Sequence, residues 1–160
     1  MSVKDKFTPG EWQSLLKAPM LAAYAVAGAA PSKREDFIRE MAAVADGVVE
    51  GERRAAKDSL LGAVVADLIA NAEDERRGQT EKLSVDEVKG RALDTCRAAA
   101  AALETKAGAE EAYEYKRWVL VVAERVASAA KEAGLFGFGG EQISGSEVAT
   151  INEIGEAINI

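Results

Sequence analysis

Three carboxylates surround a glycine between residues 45 and 52. Asp46, Glu50 and Glu52 lie two to six residues apart, and carboxylate oxygens are the ligands that calcium and magnesium prefer. Their spacing is not that of an EF-hand loop. The alternative is structural, since Asp46-Gly47 is typical of a helix end and Glu52 would then stand near the next helix start, where the dipole favours an acid. A Ca²⁺ or Mg²⁺ site and a plain helix–turn–helix are therefore two open interpretations.

A second unusual segment combines glycine with aromatic residues. Residues 134–140 read Gly-Leu-Phe-Gly-Phe-Gly-Gly. The pattern lacks the Gly-Lys-Ser/Thr ending of a phosphate-binding loop and follows a predicted helix instead of a strand. Phe136 and Phe138 either pack into the core at a tight corner or form an exposed loop that touches a protein or a membrane surface. In the second interpretation they are partner-binding residues.

The residue types that most enzymes use for acid–base and nucleophilic chemistry are scarce. The 160 residues include no histidine and a single cysteine, Cys96. This excludes histidine-based triads, histidine-containing zinc sites, Cys₄ sites and internal disulfides. Cys96 lies on the apolar face of an alanine-rich helical pattern, which predicts a buried and inert thiol. We therefore expect no catalytic residues, no cofactor and no enzymatic activity.

The net charge of the chain limits the classes of partner that we expect it to bind. The chain carries 27 acidic and 20 basic residues, a net charge of −7, with a pI near 4.8. An acidic protein of this kind is not expected to bind nucleic acid. No apolar run reaches the roughly 18 residues of a membrane span. The sequence predicts a cytoplasmic protein that binds a protein partner or forms a homo-oligomer.

Sequence motifs typical of helix starts occur at four places along the chain. In a capping box, a Ser or Thr side chain accepts a hydrogen bond from the amide three residues on, and a Glu there bonds back to the cap amide. Four such boxes, each opening a helical pattern, predict an all-α chain. The four pairs are Thr8 with Glu11, Ser32 with Glu35, Ser84 with Glu87, and Ser144 with Glu147.

The breaks between the predicted helices follow from proline, glycine and charge. Pro19 is expected to end or kink the first helix, and Gly47 to end the helix that begins near residue 33. The next helix is predicted from about Gly51 to Ala70. Residues 71–84 are expected to form an exposed charged loop. The prediction is one domain over residues 1–160, a compact bundle of about six or seven helices.

Both ends of the chain resemble an uncharacterised family of small bacterial all-α proteins, to which no activity is attached. The likeness covers about half of the chain. It rests on an opening Phe7-Thr8-Pro9-x-Glu11-Trp12 and on a closing set made of Tyr115-Lys116-Arg117-Trp118, Gly137-Phe138-Gly139-Gly140 and Ile143-Ser144 with Glu147.

Two short turns also resemble the TerB-like helical domains of tellurite-resistance and related stress proteins. Those domains carry Ala-Asp-Gly at a helix end and a Glu at the next helix start, as Asp46-Gly47 and Glu52 would. Gly140, Ser144 and Glu147 resemble a second copy that lacks the Asp. The resemblance implies a non-catalytic stress-response module that binds a divalent cation and other proteins.

The sequence thus favours a non-catalytic helical protein that acts by protein–protein interaction or self-assembly. Two alternatives stay open. One is a TerB-like cation-binding module around Asp46. The other is a carrier of a small apolar ligand, which the apolar segments 20–30 and 118–123 suggest because each is apolar on every side of its helix.

Overall fold

The computed structural model describes residues 2–29, 34–72, 83–133 and 145–160. This part of the chain forms one short 3₁₀-helix and six α-helices and contains no strand, which confirms the all-α fold. The 3₁₀-helix is Val3–Lys6, and the α-helices are α1 (Pro9–Gly28), α2 (Arg34–Arg54), α3 (Leu60–Ala70), α4 (Val85–Lys106), α5 (Ala109–Ala133) and α6 (Gly145–Ile158).

The helices pack as a bundle around α1 and α5. Helix α1 lies against α4 and α5, α2 lies along α5 with α3 beside it, and α6 contacts α4, α1 and α5. Most buried side chains of α1 and α4 are alanines, and small side chains let helix backbones approach closely. The bulky aromatic residues of the core include Trp12 of α1 and Tyr115 and Trp118 of α5.

Two of the predicted capping boxes are present. The Thr8 hydroxyl accepts from the Glu11 amide at 3.2 Å, and the Thr8 amide donates to the Glu11 carboxylate at 2.7 Å. Ser84 and Glu87 repeat this arrangement at 3.2 and 3.4 Å at the start of α4. The predicted boxes of Ser32 and Ser144 lie outside the described residues.

Helix α1 does not end at Pro19 but continues through it to Gly28. Proline lacks an N–H, so the carbonyl four residues earlier, that of Leu15, loses its helical donor. The hydroxyl of Tyr115 supplies the missing bond, donating to the Leu15 carbonyl at 2.7 Å in the buried interior. Of the two outcomes expected at Pro19, the helix end was wrong, because a compensating donor comes from another helix.

Helix α2 likewise continues through Gly47 and ends at Arg54, so the predicted helix end at Asp46-Gly47 was wrong. The chain turns at residues 55–59 instead. Ser59 caps α3 by accepting from the Gly62 amide at 3.1 Å. Glu111 of α5 accepts from the Leu60 amide at 3.3 Å. The true helix start therefore has a side-chain cap and a tertiary cap, whereas Gly47 has a packing role.

Candidate functional site

Helix α2 lies at the edge of the bundle, and its outer face is apolar. Ile38 is 61% exposed and Val49 is 49% exposed, and Ala42 and Ala45 between them are exposed as well. These four residues follow one another at spacings of four, three and four, the repeat of a helix–helix seam. They form a stripe about 16 Å long at 1.5 Å per residue. We call Ile38, Ala42, Ala45 and Val49 the outer stripe.

The inner face of α2 fixes the outer stripe toward solvent. The indole N–H of Trp118 donates to the Gly47 carbonyl at 3.1 Å in the buried interior. A Cβ atom on Gly51 would lie only 2.5 Å from the same indole nitrogen, and one on Gly47 would lie 3.1 Å from a methyl of Val122. Two glycines one turn apart thus let α5 approach the α2 backbone. Because this face is held against α5, the opposite face points away from the bundle.

Charged residues follow one edge of the outer stripe. Arg39, Asp46 and Arg53 are seven residues apart and exposed, so they lie along one side of the helix two turns from each other. Arg53 lies 3.8 Å from Glu50 of the same helix. Within the described part of the chain, neither Arg39 nor Asp46 forms an ion pair. The edge therefore presents alternating charge, positive then negative then positive.

The predicted metal ligands all lie on this one helix. Asp46 and Glu50 are one turn apart, whereas Glu52 projects from a different side of α2. Glu50 is engaged by Arg54 at 2.8 Å. Within the described ranges, no group of three or more acidic or cysteine side chains is arranged to hold a metal ion. The turn that would have gathered the three carboxylates does not form, and the cation site stays a prediction from sequence.

Phe136 and Phe138, the predicted partner-binding residues, lie outside the described residues. So does most of the predicted charged loop over residues 71–84. The apolar segments that suggested a ligand carrier contribute to the core, as their all-round apolarity predicts. Ala22, Ala23 and Val26 of α1, and Val119 and Val122 of α5, are fully buried.

Burial raises the pKa values of the Cys96 thiol and the Tyr115 hydroxyl and so favours their protonated forms. Burial raises the pKa of the Cys96 thiol to about 12. Burial also raises the pKa of Tyr115 well above its ordinary value, and the nearby Cys96 adds to this. A protonated, buried thiol is a poor nucleophile. The placement of Cys96 confirms the prediction of a buried residue.

An anchor at the start of the chain was missed by sequence reasoning. The Asp67 carboxylate of α3 accepts from the Trp12 indole at 2.8 Å and from the Lys4 ammonium at 2.7 Å. Burial alone raises the pKa of Asp67, but these two hydrogen bonds outweigh it and hold the pKa below its ordinary value. Phe7 packs beside Trp12 with ring centroids 5.7 Å apart. This cluster joins the 3₁₀-helix, α1 and α3.

Several buried or half-buried charges also tie helices together. Lys106 of α4 donates to Glu11 of α1 at 2.5 Å. The hydrogen bonds from Lys106 and Thr8 lower the pKa of Glu11. The buried Lys116 of α5 donates to the carbonyl of Asn159, the residue after α6, at 3.2 Å and so ties the end of α6 to α5. These contacts join residues that are distant in sequence, so no local sequence pattern predicts them.

The chain matches no known protein family, no curated protein and no solved structure. None of the described helices combines the length and the apolarity that a bilayer span requires.

Proposed function

We propose that this chain is a non-catalytic helical module that acts by binding protein through the outer face of α2. The observation that carries the proposal is the outer stripe, in which two large exposed aliphatic side chains, Ile38 and Val49, are joined by exposed alanines into one apolar row. An amphipathic partner helix would meet it as a seam of complementary apolar residues. The charged edge beside the stripe would fix the partner's orientation.

The surrounding chemistry supports binding over catalysis. Among the described residues, hydrogen bonds lower the pKa values of three carboxylates. Asp5 accepts from Ser2, Glu11 from Lys106, and Asp67 from Lys4 and Trp12. A general base needs a pKa near the working pH, and these carboxylates are shifted the other way. The thiol of Cys96 is buried and protonated.

The TerB-like resemblance of the sequence suggests a setting for the proposal, although the helix end at Asp46-Gly47 on which it partly rests does not form. On that basis the module would act in a bacterial stress response in the cytoplasm, as an adaptor for other proteins. Phe136 and Phe138 are the second surface that we propose for such contacts, on the strength of the sequence alone.

Site-specific photo-crosslinking in cells tests the proposal. Benzoylphenylalanine replaces Ala45 in the outer stripe, and in a matched control it replaces Ala98, an exposed alanine on α4. We expect protein adducts from position 45 and few from position 98, with mass spectrometry identifying the adduct. Adducts in equal yield from both positions, or from neither, would contradict the proposal. The same experiment with Phe136 and Phe138 both changed to Ala reports whether the second surface contributes.

A further inference from the structure

We propose that the occupant of the outer stripe is a second copy of this chain, docked antiparallel across a two-fold axis midway between Ala42 and Ala45. The inference rests on the proposed function and names its partner. In such an isologous contact every residue pair occurs twice. Ala42 meets Ala45 of the other copy, and Ile38 meets Val49.

The sizes of the four side chains match this arrangement. Two helices that cross at an angle are closest at the crossing point and diverge toward both ends. The outer stripe has its small residues, Ala42 and Ala45, in the middle and its large residues, Ile38 and Val49, at the ends. A two-fold axis at the centre places small against small where the helices are closest and large against large where they diverge. The stripe is therefore complementary to itself.

The charges on the edge of the stripe match the same axis. In an antiparallel pair, the same edge of both helices lies on the same side of the seam. Position 39 of one copy then falls within about two residues, or roughly 3 Å along the axis, of position 46 of the other. Arg39 and Asp46, which form no ion pair with any described residue of their own chain, would pair twice across the interface. In a parallel, in-register arrangement the two charged edges would instead lie on opposite sides of the seam, and Arg39 of one copy would not face Asp46 of the other.

The expected strength follows from the size of the contact. One helix face of about 16 Å gives an interface near or below the roughly 1,200 Å² at which stable complexes begin. We therefore expect a weak dimer, with a dissociation constant in the range of about 0.1 to 1 mM. Such a dimer forms at high local concentration.

Sedimentation velocity over a concentration series tests the proposal on the full chain. We expect the wild type to dimerise and Ala45→Glu to weaken dimerisation by more than about tenfold, because it places two carboxylates beside the two-fold axis. Ala98→Glu on α4 is the control with the same charge change at an exposed alanine, and it should dimerise as the wild type does. Circular dichroism verifies that both variants fold.

Charge exchange provides the sharper test of geometry. Arg39→Asp and Asp46→Arg should each weaken dimerisation by about tenfold, because each opposes like charges twice. The double variant R39D/D46R should recover wild-type dimerisation. An equimolar mixture of the two single variants should form a heterodimer. Positions 39 and 46 are two turns apart on one helix, so an effect within a single chain would not produce this recovery.

The outcomes separate this inference from the proposed function. A wild-type protein that stays monomeric at about 1 mM, a dimer insensitive to Ala45→Glu, or a double variant that fails to recover would overturn the second copy as occupant. If position 45 then crosslinks to a different protein, the proposed function survives while this inference falls. If position 45 crosslinks to nothing and the chain is monomeric, both fall.

Discussion

Helices α1 and α2 both contain residues that predict a break, and both pass through them without one. In α1 the residue is Pro19, and in α2 it is the Gly47 and Gly51 pair. In each case a side chain of α5 donates a hydrogen bond to a backbone carbonyl near the residue that was expected to break the helix. Tyr115 serves α1 and Trp118 serves α2, one turn apart on α5 with ring centroids 6.0 Å apart.

The two cases differ in what α5 supplies. Pro19 removes a donor, so the Leu15 carbonyl depends on Tyr115 for a hydrogen bond. Gly47 removes nothing from the helical ladder, because the amide of Gly51 remains available to its carbonyl. There the glycines provide space, and the Trp118 bond is an addition. Tyr115 therefore replaces a lost bond, whereas Trp118 fills the room that the glycines leave.

The continuity of α2 is what creates the candidate interaction surface. Ile38 and Val49 stand on either side of Gly47 along the helix axis, and they belong to one stripe only because the helix does not turn there. The close approach of α5 at Gly47 and Gly51 and the exposure of the outer stripe therefore both follow from the packing of α2 against α5. Mutations on the two faces should behave differently.

The largest effect is expected from Gly51→Ala. The added Cβ would fall 2.5 Å from the Trp118 indole nitrogen, so we expect a loss of about 3 kcal/mol in the free energy of unfolding from overpacking. Gly90→Ala is the matched control, since a Cβ there meets nothing within 4 Å. It should stabilise by about 0.5 to 1 kcal/mol through helix propensity. Urea unfolding followed by circular dichroism measures both, and equal effects would contradict the packing role of Gly51.

Tyr115→Phe tests whether the Tyr115 hydroxyl replaces the hydrogen bond that Pro19 removes from α1. Leaving the buried Leu15 carbonyl without a donor should cost about 2 kcal/mol of unfolding free energy. Pro19→Ala restores an N–H at the position that the helix needs, so Tyr115→Phe should cost clearly less in that background. A double-mutant cycle by urea unfolding measures the coupling. Additive effects would show that Tyr115 does not compensate for Pro19.

A pH titration distinguishes the neutral hydrogen bonds of Tyr115 and Trp118 from the hydrogen bond that Trp12 donates to the charged Asp67 carboxylate. The pKa of Asp67 is lowered in the folded state, so its contribution is complete above the ordinary value of 3.8 and is lost as the pH falls through the folded value. We expect Asp67→Asn to destabilise by about 1 kcal/mol at neutral pH, since Lys4 is half exposed. The difference from wild type should vanish in acid. Asp94→Asn, at an exposed pair with Arg97, should differ little from wild type at any pH.

The smallest effect on stability is expected on the outer face. Ala45→Glu should change the free energy of unfolding by less than about 0.5 kcal/mol, because an exposed helix position tolerates a glutamate. Thermal and urea unfolding at low protein concentration measure this. A loss comparable to that of Gly51→Ala would mean that the outer stripe is structural.

Local signals made most of the helix map predictable. The box of Ser84 with Glu87 placed the start of α4 at Val85. The all-α fold followed from these caps and from the helical spacing of the apolar residues. Each of these features is a property of a few consecutive residues, which is why one sequence is sufficient to find them.

The errors occurred where tertiary contacts decide the outcome. Gly47 at a helix crossing and a glycine at a helix end have the same local signature, and only the Trp118 ring distinguishes them. Ile38, Ala42, Ala45 and Val49 recur at helical spacing, but the predicted break at Gly47 divided them between two helices. Which face of α2 meets solvent depends on α5, and no local pattern contains that information.

A concentration series of amide NMR spectra locates the dimer contact without a mutation, because each backbone amide reports on its own surroundings. Spectra are compared from about 0.05 to 1 mM. We expect concentration-dependent shifts at residues 38 to 49 of α2, with Asp94 and Ala98 on α4 unchanged. Shifts confined to another surface, or no shifts at the highest concentration, would contradict the claim that the outer face of α2 binds a second copy.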